Sequence, residues 1–319
     1  MRDEAPYLAE ALASLSAQTL EDFEVAVVDD GSEDDSAAMA EAHAAADTRF
    51  RVLRQPRSGL VTALERARRE ADGRFLARMD GDDVALPSRL ELQVAALEEE
   101  DLDACGGGIE YFPRATEGAE RYARWLNSLV TAESAARDVF VECPLPHPTL
   151  VVRREALERA GGYEDHGWAE DYDLVLRLWA RGARFRNVEE VVLRWRDHPG
   201  RLSRAEPRYS LAAFVRCKVH HLRRTLMRGR RGVLIFGAGP VGKSFGRALA
   251  DELAGFVEVD PSKLGKTIHG VPVVSAEDAL RFADALWLGA VAGEEARTRI
   301  REVAAAQGRT EGVDFVAVA

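Results

Sequence analysis

Short apolar runs alternate along the first part of the chain with segments whose apolar residues recur every three or four positions. The runs Phe23–Val28, Arg51–Arg54 and Arg74–Met79 are bounded by turn-forming residues and predict buried strands. Leucines spaced along residues 8–15 and apolar positions over residues 61–70 predict amphipathic helices. Because strands that alternate with helices form helix-covered parallel sheets, the pattern predicts an α/β fold with a mostly parallel sheet flanked by helices.

Two of the predicted strands end in acidic turns. Asp29 and Asp30 open the turn Asp29–Ser32, and a second turn spans Asp80–Asp83. Open α/β sheets bind ligands at the carboxyl ends of their strands, so both turns are expected at one ligand site. For the first turn, a purely local role in turn formation and helix capping stays open.

The second acidic turn has the composition of a divalent-cation site. Gly81 permits a tight turn, so Asp80 and Asp82 can point into one concavity. Carboxylate oxygens suit Mg²⁺ or Mn²⁺, which take further ligands from water and substrate phosphates. The alternative is a surface turn whose aspartates cap the helix that starts near Pro87.

Composition and charge narrow the classes of function. A length of 319 residues, 46% of them apolar, predicts two globular domains. The net charge of −11 argues against nucleic acid as a partner. The cysteines have no metal-ligand spacing, and no apolar run reaches the ~20 residues of a membrane span. The sequence therefore predicts reduced thiols and a cytoplasmic protein.

A second α/β pattern begins at Gly232. The predicted strand Val233–Phe236 leads into residues 237–244, which match both a P-loop and the G-x-G-x-x-G dinucleotide fingerprint. Few residues remain for an NTPase, and an acidic residue follows the next predicted strand, which favours a small Rossmann-like domain that binds a nucleotide or dinucleotide. The expected ligand-binding residues are Gly237, Gly239, Gly242 and Asp260.

Between these two patterns lies a basic helical segment. Seven Lys or Arg residues and no carboxylate occur from Arg216 to Arg231. Two interpretations stay open: a linker helix packed on its neighbour, or a peripheral contact with the anionic inner face of a membrane. The predicted domains are residues 1–203, a linker over 204–231, and residues 232–319.

A series of ordered motifs resembles family 2 glycosyltransferases of the GT-A fold. The motifs are Val27–Ser32, Asp80–Asp83, Pro87–Gln93, Gly161–Tyr163, Glu170–Leu174, Arg177–Leu178 and Arg196–His198. The resemblance implies an inverting, hexosyltransferase-type enzyme that uses a nucleoside-diphosphate sugar. It also implies a saccharide or lipid-linked acceptor, in polysaccharide or glycoconjugate synthesis.

The resemblance further implies a donor-binding set of residues. Asp29 and Asp30 would contact the base and ribose of the nucleotide. Asp80 and Asp82 would bind the metal on the diphosphate of the sugar nucleotide, and His198 would complete the metal shell. For His198 alone, a surface histidine before a proline turn is the ordinary alternative.

The same resemblance implies that Asp171, preceded by Glu170, is the catalytic base. The chemistry asks for such a group independently, because the acceptor hydroxyl loses its proton as it attacks the sugar. A carboxylate in the first turn of a helix also satisfies the helix dipole, and that simpler role stays open for Asp171.

Two rival classes of function differ in what they require. A sugar-nucleotidyltransferase would need a glycine-rich phosphate loop near the amino end, and residues 2–8 contain no glycine. A non-catalytic nucleotide or nucleotide-sugar sensor would bind its ligand without turnover.

Three further expectations are local. Proteins resembling this one begin with an apolar strand ahead of the segment Arg2–Glu4, so we expect a truncated form with a gap or a makeshift pairing between the strand ending at Asp29 and the one ending at Asp80. Residues 105–108 predict a flexible lead-in to a strand over 109–112. The candidates to stack on an acceptor sugar are Trp125, Tyr163 and Trp168, with core packing as the alternative.

Overall fold

A computed structural model describes residues 1–319, apart from the side chain of Ala205, and the chain divides into two compact units. The first unit comprises Met1–Ala136, Pro144–His166 and Glu170–Ala205, and the second comprises Arg137–Cys143, Gly167–Ala169 and Glu206–Ala319. The predicted separate linker over residues 204–231 differs from this division, because its helix lies within the second unit.

The amino-terminal half alternates helices with strands, as its apolar pattern predicts. The elements are α1 (Ala5–Ser16), β1 (Val25–Asp30), α2 (Ser36–Ala46), β2 (Phe50–Gln55), α3 (Leu60–Glu70), β3 (Phe75–Ala77), β4 (Val84–Ala85), α4 (Arg89–Glu99), β5 (Ala104–Phe112), α5 (Glu117–Asn127), α6 (Ala132–Arg137), β6 (Val151–Arg153), α7 (Arg154–Ala160), α8 (Glu170–Trp179), β7 (Phe185–Arg196) and α9 (Leu202–Ala205).

The strands of the first unit form two sheets. β1 and β2 pair in parallel, and a five-stranded sheet has the order β3-β6-β5-β7-β4. Within the larger sheet only β5 and β7 pair in parallel. The short strands β3 and β4 lie at its two edges, and the acidic turn connects them. The turn is therefore held by both edges of the sheet.

The edge of β1 that faces away from β2 contacts the first residue of the chain. The backbone nitrogen of Met1 donates to the carbonyl of Val28 at 2.8 Å, and the amide of Asp30 donates to the carbonyl of Met1 at 3.1 Å. These two bonds fix the start of the chain beside the first acidic turn.

The glycines at positions 106–108 are a buried part of β5, and the expectation of a flexible lead-in is wrong. A Cβ at Gly106 would lie 2.1 Å from Oδ1 of Asn187, and one at Gly107 would lie 2.3 Å from Cγ2 of Val192. The side chains of β7 fill the space in which these residues would carry their own. The glycines therefore permit close strand packing rather than flexibility.

The second unit contains one helix-flanked sheet. Its elements are α10 (Leu211–Arg224), β8 (Val233–Phe236), α11 (Pro240–Ala248), β9 (Leu253–Val257), β10 (Thr267–Ile268), β11 (Val271–Val274), β12 (Leu286–Gly289), α12 (Glu294–Ala306) and β13 (Phe315–Ala317).

The six strands of this sheet have the order β10-β11-β9-β8-β12-β13. All neighbours pair in parallel except β10 and β11. The chain first forms the strands on one side of β8 and then those on its other side. The carboxyl ends of β8 and β12 therefore border a topological switch point.

Helix α10 carries the first part of the basic segment, up to Arg224. It begins at Ser210, whose Oγ accepts a hydrogen bond from the amide of Ala213, and it buries its apolar positions Val215, Val219 and Leu222. Of the helices described, none combines the length and apolar character needed to cross a membrane. Peripheral membrane contact of this segment stays a prediction.

Candidate active site

The acidic turn between β3 and β4 brings three carboxylates together. One oxygen each of Asp80, Asp82 and Asp83 lies within 4.8 Å of the others. At the apex, a Cβ on Gly81 would lie 3.4 Å from Cγ of Glu4, so a fourth acidic residue borders the turn. The turn is thus a cluster of acidic groups and not an open surface loop.

Each of the two predicted metal ligands of the turn has a cationic or polar partner. The guanidinium of Arg78 pairs with both carboxylate oxygens of Asp80. Nε2 of His198 lies 2.8 Å from Oδ2 of Asp82. The structure therefore brings Asp80, Asp82 and His198 together, and their role as metal ligands stays a prediction.

Asp83 is buried and only partly satisfied. Its Oδ1 accepts a hydrogen bond from the backbone amide of Arg196 at 2.8 Å, whereas Oδ2 is buried without a hydrogen-bond partner among the described atoms. A buried oxygen without a partner costs about 1–3 kcal/mol. This orphaned oxygen indicates a site shaped for a further positive group.

Burial, together with repulsion from neighbouring carboxylates, changes the protonation of two of these groups. Burial, followed by the charges of Asp82 and Asp80, raises the pKa of Glu4 to about 8. Burial, followed by Asp80 and Asp82, also raises the pKa of Asp83 to about 8. Hard oxygen donors in excess of their cationic partners are the donor set that Mg²⁺ or Mn²⁺ prefers, so the residues present fit such a cation.

Two buried residues of α4, Arg89 and Gln93, hold the backbone that leads into the acidic turn. Arg89 donates to the carbonyl of Arg78 at 2.5 Å, and its Nε donates to Oε1 of Gln93 at 3.2 Å. Gln93 in turn donates to the carbonyl of Thr149 at 2.7 Å. The motif that begins at Pro87 therefore has a structural role, which is to fix the strand end that carries the acidic turn.

The first acidic turn is tied to its surroundings by hydrogen bonds. Asp30 accepts from Nε2 of Gln55 and from the backbone amides of residues 58–59, at 2.7 to 2.9 Å. Burial disfavours the charge of Asp30, but these hydrogen bonds outweigh it and lower the pKa. Asp29 accepts from the amide of Ser32 at 3.1 Å. Both carboxylates are buried, with 1% and 5% of their surface exposed, and their contact with a nucleotide stays a prediction.

The two acidic residues that begin α8 have different surroundings. Glu170 is only 1% exposed, and its Oε1 lies 3.9 Å from Nδ1 of His147. Asp171 is half-buried, and its Oδ1 accepts from the amide of Tyr172 at 2.7 Å. Asp171 is therefore the more accessible carboxylate of the pair.

The Gly161–Tyr163 motif forms a tight loop between α7 and α8. Gly161 and Gly162 have φ angles of +96° and +74°, which favour glycine. The loop is anchored on two sides: Glu65 accepts from the amide of Tyr163 at 2.7 Å, and Arg177 donates to the carbonyl of Gly162 at 2.7 Å. These contacts fix Tyr163 between α3 and α8.

The three aromatic candidates for sugar stacking have separate locations. Tyr163 is only 8% exposed, and Trp125 stacks on Tyr122 with ring centroids 5.8 Å apart. Trp168 belongs to the second unit, where its ring is tilted against His220. The geometry of Tyr163 and Trp125 agrees with the packing alternative.

Four residues of the acidic cluster were not singled out from the sequence. They are Glu4, Arg78, Asp83 and Arg196. Asp83 and Arg196 belong to the motifs Asp80–Asp83 and Arg196–His198, and Arg78 lies two residues before the first of these, so a signal was available for three of them. For Glu4 the available signal was its place in the segment Arg2–Glu4.

The glycine-rich loop of the second unit has three glycines with different constraints. Gly237 has a φ of +93°, and a Cβ there would lie 2.7 Å from Cγ1 of Val291. A Cβ at Gly242 would lie 1.8 Å from the carbonyl oxygen of Gly237, so only glycine lets α11 approach the loop. A Cβ at Gly239 would meet nothing within 4 Å, so this position faces open space.

The acidic residue that faces this loop is Glu258 rather than the expected Asp260. Glu258 directly follows β9, and its Oε1 accepts from the amide of Ala238 at 2.7 Å and from Nζ of Lys263 at 3.0 Å. Asp260 instead accepts from the amide of Ser262 at 2.9 Å and caps a short 3₁₀ turn. The sequence pattern did not show at which residue β9 ends, and Glu258 and Asp260 are only two residues apart.

Comparisons with known sequences concern mainly the first unit. The family described as "Glycosyl transferase family 2" matches residues 1–161. The amylovoran biosynthesis glycosyltransferase AmsE of Erwinia amylovora is 31% identical over 191 residues, which cover 59% of this chain and 70% of AmsE.

Solved structures share the fold at low sequence identity. TarS 1-349 of S. aureus, in complex with UDP-GlcNAc, is 18% identical with a TM-score of 0.57, and the match covers 70% of this chain and 64% of that one. The mannosyltransferase PcManGT from Pyrobaculum calidifontis, in complex with GDP-Man and Mn2+, is 18% identical with a TM-score of 0.54, covering 97% of this chain and 79% of that one. The predicted α/β fold of GT-A type is confirmed. With the family matched over half of its length, this chain belongs to glycosyltransferase family 2.

Proposed function

We propose that the first unit transfers a sugar from a nucleoside-diphosphate sugar to an acceptor hydroxyl, with Mg²⁺ or Mn²⁺ bound at the acidic turn. The observation that carries the proposal is the convergence of Asp80, Asp82 and Asp83 beside Glu4, where burial and mutual repulsion raise the pKa of Glu4 and of Asp83 to about 8. The UDP-GlcNAc in the TarS complex, and the GDP-Man and Mn2+ in the PcManGT complex, support the same class of donor and cofactor here.

Within this proposal, Asp80, Asp82 and His198 hold the cation. The 2.8 Å approach of His198 to Asp82 supports their assignment to one metal shell. When bound, the cation neutralises the charge that develops on the departing diphosphate. Asp29 and Asp30 lie at the carboxyl end of β1 and contact the base and ribose of the nucleotide.

The reaction is a single displacement. The acceptor oxygen forms a bond to the anomeric carbon from the face opposite the diphosphate, and the bond between that carbon and the diphosphate oxygen breaks. The electron pair leaves with the nucleoside diphosphate, and the proton of the acceptor moves to a carboxylate of the enzyme. One displacement inverts the configuration of the sugar, by the logic that governs inverting glycosidases.

Asp171 is the base in this scheme, and Glu170 is not. Glu170 is buried against His147, whereas Asp171 is half-buried at the first turn of α8. A base must reach the hydroxyl whose proton it takes, so the accessible carboxylate fits the role. The name of AmsE, an amylovoran biosynthesis enzyme, supports an acceptor that is a growing polysaccharide.

For the second unit we propose a nucleotide site at the glycine-rich loop. Gly237 permits the tight turn, Gly239 leaves room for phosphate, and Gly242 permits close packing of α11, which is the division of roles in dinucleotide-binding loops. Glu258, at the end of β9, takes the place of the acidic residue that contacts ribose in such sites. A binding or regulatory role follows, because no group for hydride transfer was identified in the sequence.

The Asp171→Asn variant tests the base. An amide cannot take the proton, so we expect sugar transfer to fall by about 10²–10⁴-fold while the donor binds as before. The assay is transfer from a panel of UDP- and GDP-sugars with Mn²⁺, together with donor binding by calorimetry. Glu158→Gln, at an exposed position on α7, is the control and should transfer at the wild-type rate. Unchanged transfer by Asp171→Asn would remove this residue from the mechanism.

The Glu4→Gln variant tests the charge balance of the cluster. The pKa of Glu4 is raised to about 8, so at neutral pH folding must protonate a carboxyl group that is ionised in the unfolded chain, and this destabilises the folded protein. Without divalent cation we expect the neutral amide to raise the unfolding free energy by roughly 1–3 kcal/mol. The stabilisation that added Mn²⁺ gives should become smaller than in the wild type.

Thermal unfolding with and without Mn²⁺ measures both effects. Glu99→Gln, at an exposed position on α4, removes the same charge outside the cluster and should change neither quantity. A wild-type midpoint that does not respond to Mn²⁺ would contradict the proposed metal site.

The Gly239→Val variant tests the second site. Gly239 has a φ of −74° and open space in front of it, so valine should leave the fold intact while its side chain occupies the phosphate position. We expect wild-type protein, with divalent cations chelated, to bind an adenine or uridine nucleotide, and Gly239→Val to lose that binding. Ala250→Val, at an exposed position beyond α11, is the control. Equal binding by both variants, or ATP hydrolysis by the wild type, would contradict this site.

A further inference from the structure

Two buried polar side chains of the first unit have no role in the proposed reaction. Nε2 of His147 lies 3.0 Å from the hydroxyl of Tyr163, and the two rings are tilted with centroids 5.5 Å apart. Their exposed fractions are 7% and 8%. Polar groups are costly to bury, so a pair retained inside a fold calls for an explanation beyond packing.

The two ends of this pair face the two halves of the candidate active site. On the Tyr163 side, the hydroxyl is close enough to Arg78 for the two groups to influence each other, and Arg78 pairs with Asp80 of the acidic turn. On the His147 side, Nδ1 lies 3.9 Å from Oε1 of Glu170, the first residue of α8. The pair therefore lies between the acidic turn and the helix end that carries Asp171.

Within the pair, one side chain donates the hydrogen bond and the other accepts it. The hydroxyl of Tyr163 can donate its proton to Nε2 of His147 across the 3.0 Å between the two atoms. Burial, followed by the charge of Arg78, lowers the pKa of His147 well below its ordinary value, so the ring is neutral and carries one proton. With Nε2 as acceptor, that proton is on Nδ1 and faces the carboxylate of Glu170.

We propose that Tyr163 and His147 form a positioning couple, which holds the first turn of α8 in register with the acidic turn. This inference rests on the proposed function. The couple would set the distance between the Asp171 carboxylate and the sugar donor held at the acidic turn. Neither residue contacts the sugar in this account, so both are positioning residues. At 3.9 Å the contact with Glu170 is longer than a hydrogen bond, and the neutral couple acts on that carboxylate through packing and through the N–H dipole of the ring.

Tyr163→Phe is the most selective test, since it removes only the hydroxyl. A misplacement of about 1 Å at a reacting group costs up to ~10²-fold in rate. We therefore expect kcat for sugar transfer to fall by about 10–100-fold at an unchanged KM for the donor. Because the two residues act as a unit, the double variant Tyr163→Phe, His147→Gln should be no slower than His147→Gln alone.

A loss of stability alone must be separated from a loss of positioning. Leu97→Val truncates a fully buried residue of α4 that is not part of the couple, and it provides a destabilised control. We expect this control to unfold at a lower temperature and to keep the wild-type kcat per folded molecule. A kcat for Tyr163→Phe that matches Leu97→Val would overturn the proposal.

Hydrogen exchange over residues 170–173 gives a readout that needs no turnover. We expect exchange at this first turn of α8 to accelerate in Tyr163→Phe and to stay at the wild-type level in Leu97→Val. If wild-type protein transfers no sugar from any donor, the proposed function fails and exchange alone decides the couple. Faster exchange in Tyr163→Phe would then support positioning of α8, and unchanged exchange would overturn it.

Discussion

Repulsion among carboxylates in the space between β3 and β4 is the constraint on which the rest of the first unit depends. Asp80, Asp82, Asp83 and Glu4 share this space, and burial together with mutual repulsion raises the pKa of two of them to about 8. Such a cluster is stable only if other elements deliver compensating donors. The arrangement of the larger sheet meets that need.

Strand β7 and the residues directly after it provide most of the hydrogen-bond donors to these carboxylates. The strand pairs with both β5 and β4, and its last residue, Arg196, donates its backbone amide to Asp83 and its Nε to the carbonyl of Asp82. Two residues further on, His198 reaches Asp82. At the other edge of the sheet, Arg78 directly follows β3 and pairs with Asp80. The partners leave Oδ2 of Asp83 without a hydrogen bond, beside the two aspartates that would hold a divalent cation.

The parts of the site that are local in sequence were predictable, and the long-range parts were not. An apolar run followed by Asp80–Asp83 shows a strand and an acidic turn without further information. The bond from Arg196 to Asp83 joins residues 113 positions apart, and only the pairing of β4 with β7 creates it. Likewise, the glycines at positions 106–108 suggest a turn when only the sequence is read. The fold requires glycine there because side chains of β7 pack closely against β5.

The second unit shows the same limit on a smaller scale. Its glycine-rich motif predicted the strand, the tight turn and the helix, because each depends on neighbouring residues. The choice between Glu258 and Asp260 depended on where β9 ends and on a contact with Ala238, which is twenty residues earlier. Chemistry that depends on strand register is therefore the least visible from sequence alone.

Sugar transfer in the presence and absence of a chelator tests the central claim most directly. The account predicts that chelated wild-type protein loses transfer from its sugar-nucleotide donor and that added Mn²⁺ restores it, whereas Asp82→Asn stays inactive with Mn²⁺ present. Full-rate transfer by wild-type protein in the chelator would contradict the account, since the acidic turn would then serve the reaction without a metal.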